Sequence, residues 1–106
     1  MLVDSSRFKE SKKLLRKTLP VARRVLGESH EVTLKMRWAY ARALFMNTDA
    51  TLDDVLRDVR EAVDTCEETE RTARRVLGGA HPLTVEVGSF LRKARALLAA
   101  REAQRS

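Results

Sequence analysis

Few side chains in this chain could do chemistry, and their spacing decides what each can do. His30 and His81 hold the same place in two near-identical stretches, "ARRVLGESHEVT" at 22–33 and "ARRVLGGAHPLT" at 73–84. Two equivalent histidines invite a metal reading, but a metal site needs further ligands converging on them. No cysteine pair, H-x-x-x-H or carboxylate–histidine cluster accompanies either one. Each instead stands where a helix begins, which makes it a cap. Cys66 is the single cysteine, and its neighbours are Asp64, Glu67 and Glu68. A reactive thiolate wants a nearby cation or helix N-terminus, so Cys66 reads as a small apolar filler. The run "DTCEETE" at 64–70 is rich in carboxylates, but at helical spacing most of them face water. There is no Gly-rich phosphate loop, no Ser/His/Asp arrangement and no carboxylate pair in an apolar setting. The sequence therefore supports no enzyme, no metal site and no cofactor.

One constellation suits binding. Lys35, Trp38, Arg42 and Phe45–Met46 recur at spacings of three and four residues, which places them on one strip of a helix. A tryptophan flanked by cations suits an extended acidic peptide with an apolar anchor: the ring supplies area and the cations attract carboxylates. The alternative is that Trp38, the sole tryptophan, is the largest side chain of the core and the cations are solvated. Both readings stay open from sequence. A second feature is the basic run "RFKESKKLLRKTLPVARR" at 7–24. It fits a solvated helix face, contact with an acidic protein surface, or a nucleic-acid backbone. The last would be steeply salt-dependent and blind to sequence. Apart from Phe8 the run lacks aromatics for stacking on bases, which counts against single-strand binding.

These residues need helices to position them. Ala, Leu, Arg, Glu and Lys dominate the 106 residues, and runs of β-branched residues are missing. Four helical segments are predicted, at about 5–26, 31–46, 52–77 and 82–102, in a single domain. Asp4, Ser5 or Ser6 can cap the first. Pro20 predicts a kink or break near Thr18, and Gly27 ends the helix. "NTDAT" at 47–51 favours a turn, with Asp49 or Thr51 capping the third helix. Asp53 and Asp54 at its start and Arg74 and Arg75 at its end suit the helix dipole. Its apolar stripe nearly vanishes between Glu67 and Thr72, which predicts a more exposed second half. Pro82 suits a first helical position, and the final "REAQRS" is expected to fray.

The duplicated block is the strongest signal. Eight of twelve positions agree at an offset of 51 residues. Each copy ends one helix, turns at a glycine and starts another, and two such corners in series predict a helical solenoid. Here "ARRVLGESHEVTLKMRWAYARAL" and "ARRVLGGAHPLTVEV" resemble tetratricopeptide (TPR) repeats of the kinesin-light-chain type, with R-x-V-L-G, a turn with H-P, then T-L and an alanine-containing helix. The resemblance implies an all-α fold of antiparallel helix-turn-helix repeats, a short TPR-like α-solenoid of about four helices. It also implies a concave groove lined by the first helix of each pair, with Lys35, Trp38, Arg42 and Phe45 as contact residues. The chain departs from that pattern in three ways. Its period is 51 residues, where the family's is about 42, inside the 20–50 range of such units. Trp38–Ala39 stands where the family has paired asparagines. Arg92 stands where a small residue matching Ala41 is expected.

The net charge of +6 lies wholly in residues 1–50, which carry eleven Lys/Arg and five Asp/Glu, while residues 51–106 carry ten of each. No apolar stretch approaches the ~18 residues of a membrane span, and the start lacks the apolar middle of a signal peptide. With one cysteine, the expectation is a cytoplasmic protein with no membrane contact. The expected function is non-catalytic protein–protein interaction, a peptide or helix held in the groove. The alternatives are a basic helical nucleic-acid binder and a purely structural segment of a longer array. Uncovered repeat ends predict self-association into a homo-oligomer.

Overall fold

The computed structural model describes the backbone of residues 5–45 and 52–105, with side chains from Glu10 to Phe45 and from Asp53 to Gln104. The expected caps at Asp4, Ser5, Ser6, Asp49 and Thr51, and the side chains of Phe8 and Met46, lie outside the described residues. Four helices follow one another: α1 (Ser5–Leu26), α2 (Glu31–Phe45), α3 (Leu52–Leu77) and α4 (Pro82–Arg105). Each packs on the next, and α2 also meets α4. The fold is all-α, a short run of helix-turn-helix units stacked in sequence.

The duplicated block builds the same corner twice. Gly27 (φ 93°) and Gly78 (φ 92°) adopt the left-handed conformation, which glycine reaches without the Cβ penalty. Gly27 N–H donates to Arg23 O, and Gly78 N–H to Arg74 O, each at 3.1 Å. These bonds satisfy carbonyls that a helix end leaves open. His30 Nδ1 then accepts from Val32 N–H, and His81 Nδ1 from Leu83 N–H, each at 3.1 Å. Both histidines therefore cap a helix with a ring nitrogen, the job a short polar side chain does elsewhere.

α2 lies at the centre because it buries most of its circumference. Leu34, Tyr40, Ala41, Ala43 and Leu44 are buried, and so is Arg37. α3 contributes Leu56, Val59, Ala62, Val63 and Cys66, α4 contributes Leu83, Val87, Leu91 and Ala94, and α1 adds Leu19 and Ala22. Burying each large aliphatic side chain stabilises the fold by roughly 1.5–3 kcal/mol.

Two expectations are corrected and one holds. α1 passes through Pro20 without a break; Thr18 Oγ1 donates to Leu14 O at 2.9 Å in the turn before it. As expected, the second half of α3 is the more exposed one, with Glu68, Arg71, Arg74, Arg75 and Val76 open to solvent, while Thr69 and Ala73 carry the buried stripe on with small side chains. α4 continues to Arg105, and near its end Glu102 is held by Arg60 of α3 at 3.2 Å. Arg92 is exposed.

Candidate functional site: a cleft between α2 and α4

Because the corners repeat, α2 and α4 start at matching points and lie on one wall. His81 Nε2 is 3.8 Å from Glu31 Oε1, joining the two first turns. Further along, the rings of Phe45 and Phe90 meet edge to face, 5.0 Å between centroids at 66°. Between these ties is a cleft of about 330 Å³. α2 lines it with Glu31, Lys35, Trp38 and Arg42, and α4 with Pro82, Leu83 and Glu86, beside the cap His81.

Three of the four residues singled out from sequence therefore share the cleft wall. The Arg42 guanidinium lies over the Trp38 ring, 4.2 Å from its centroid, a cation–π arrangement that holds both in place. Lys35 sits 3.6 Å from Glu31. Arg42 meets no carboxylate among the described residues. Phe45 is outside the cleft lining, where its contact with Phe90 joins the two helices. Trp38 does both things the sequence left open: it packs half-buried against the core and lines the cleft. Its Nε1 is buried without an acceptor among the described residues.

The opposite side of α2 carries polar ties that sequence reasoning missed. Arg16 Nε of α1 donates to the Tyr40 hydroxyl at 3.0 Å, and that hydroxyl donates to Glu61 of α3. Burial pushes the Tyr40 phenol above its ordinary value; the bond to Glu61 adds to the rise and the one from Arg16 opposes it. Lys12 reaches the buried Asp58 of α3 at 3.1 Å. Part of the basic run thus neutralises α3 carboxylates within the fold. Arg37 was also missed: with 1% of its side chain exposed, its Nη2 lies 3.1 Å from Glu68 as an ion pair, while neither that nitrogen nor Nε makes an aligned hydrogen bond among the described residues. The signal was present, since Arg37 falls between Leu34 and Ala41 at the spacing of the buried stripe.

Among the described residues no group of three His, Cys, Asp or Glu gathers as a metal site. The Cys66 thiol is buried and pushed up to about 12, by burial first and by Glu70 second. No described helix is long and apolar enough to cross a membrane. No family model, curated protein or solved structure matches the chain.

Proposed function

We propose that the chain is a non-catalytic interaction module of tetratricopeptide type that takes an acidic peptide segment in the α2–α4 cleft. The observation that carries this reading is the cleft itself: an apolar floor of Trp38 and Leu83, with Arg42 stacked over the ring and Lys35 beside it. An apolar anchor would displace water from the Trp38–Leu83 surface, and carboxylates of the same peptide would meet Arg42 and Lys35. The salt bridge of Lys35 to Glu31 is exposed and exchangeable. The unpaired cysteine fits a reduced, cytoplasmic setting.

The test is titration of a labelled acidic peptide carrying one leucine or tryptophan, followed by fluorescence anisotropy. Arg42→Glu and Lys35→Glu are expected to weaken binding about tenfold or more each, at unchanged helicity. Trp38→Ala removes the anchor surface as well. Because Trp38 also packs on the core, the two charge reversals decide the question. Unchanged affinity in both would reject the cleft as the site.

A further inference from the structure

α1 is apolar over more of its circumference than the fold covers. Leu15, Leu19 and Ala22 meet the core. Beside them Leu14, Thr18, Val21 and Val25 follow at spacings of four, three and four residues, forming one strip along the helix. Leu14 is 61%, Val21 46% and Val25 70% exposed, and Val32 at the start of α2 is 46% exposed. Single exposed aliphatics are ordinary on a protein surface; a continuous strip marks an interaction face.

The internal repeat shows what covers such a strip. At the 51-residue offset its counterparts on α3 are Thr65, Thr69, Thr72 and Val76. Thr69 is fully buried and Thr65 and Thr72 are half-buried, while Val76 at the end of the strip is 45% exposed. The counterpart of Val32 is Leu83, buried on α4. At the edge of the α3 strip, Arg37 of α2 meets Glu68. The residue matching Glu68 on α1 is Lys17, and the one matching Asp64 is Lys13. Both lysines are exposed and meet no carboxylate among the described residues. The same face recurs with its edge charge inverted.

We infer that this strip of α1 is a docking surface for an acidic amphipathic helix of another protein. The helix lies on α1 as α2 lies on α3, with carboxylates where α2 has Arg37. This surface is distinct from the α2–α4 cleft. A second copy of the chain is a poor occupant. α1 carries eight Lys/Arg against Glu10 alone, and α4 is likewise predominantly basic, so either would bring like charges together. α3 is acidic, but its apolar stripe is already buried in its own molecule.

The test uses the full chain and three labelled peptides of about 18 residues, five helical turns. One has leucines at heptad a and d positions and glutamates at e and g. The second replaces those glutamates with lysines, and the third scrambles the first. The striped acidic peptide is expected to bind. Val21→Ser is expected to weaken it about tenfold, and Lys13→Glu with Lys17→Glu to weaken it as much while admitting the lysine peptide. All three positions are exposed, and circular dichroism checks that the fold persists. In an Arg42→Glu background, which removes the share of acidic-peptide binding that belongs to the cleft, the losses on Val21→Ser and on the lysine reversals are expected to persist in full. The proposal fails if the striped acidic peptide does not bind, if the scrambled one binds equally, or if the α1 substitutions have no effect. It also fails if sedimentation shows a dimer that Val21→Ser dissolves, since the occupant would then be a second copy.

Discussion

Arg37 and Glu68 form an ion pair whose two ends live in different solvents. Arg37 has 1% of its side chain exposed, Glu68 59%. Removing the arginine returns a carboxylate to water, whereas removing the carboxylate leaves a cation buried alone. Breaking a wholly buried pair costs about 3–5 kcal/mol; with Glu68 half in water, Glu68→Ala is expected to cost about 2–3 kcal/mol. Arg37→Met, which fills the space without charge, is expected to stay within about 1 kcal/mol of the parent. Urea unfolding followed by circular dichroism measures both, and equal losses would refute this asymmetry. Two other buried groups set a response to alkali. Cys66 is raised from 9.0 to about 12, and Tyr40 lies above 10.0, so the folded state favours both neutral forms. Their contribution is complete below pH 9 and declines as pH rises through the folded values, because the unfolded chain releases its protons first. Stability is therefore expected to hold from pH 7 to 9 and fall toward 12, less steeply in Cys66→Ala; thermal melts across that range test it.

At the scale of elements, the two corners carry the architecture. An added Cβ at Gly27 or Gly78 meets nothing within 4 Å, so the cost of alanine there is backbone strain alone, about 1–2 kcal/mol. Gly78→Ala is expected to lose that much with the helices intact. His30→Ala is expected to lose about 1 kcal/mol and His30→Asn to recover most of it, since asparagine caps the same amide. Melting temperatures of the three variants decide between strain and capping. The corners were legible in the sequence because glycine, histidine and proline act on their own turn. What escaped was set at a distance. Nothing local to Glu102 shows that Arg60, 42 residues earlier, will hold it. Thr69 and Ala73 looked too small to mark a buried face, although small size is what lets neighbouring helices come close. Pro20 disrupts one backbone bond, and the burial of Leu19 and Ala22 on either side keeps α1 whole.

At the scale of the molecule, half of the cleft could be read in advance. Lys35, Trp38 and Arg42 share a helix, so spacing alone aligned them. The facing wall of Pro82, Leu83 and Glu86 depends on how two corners superpose in space, and a linear pattern does not carry that. The side-by-side placement of α2 and α4 has its own check. A double-mutant cycle on Phe45 and Phe90 is expected to give a coupling of about 0.5–1.5 kcal/mol, the range for edge-to-face rings. Zero coupling would separate the helices. The single tryptophan of the chain stands in this wall beneath a guanidinium. The protein thus carries its own optical reporter: a guest that lifts Arg42 from the indole must change the intrinsic emission, so occupancy can be followed with no dye attached.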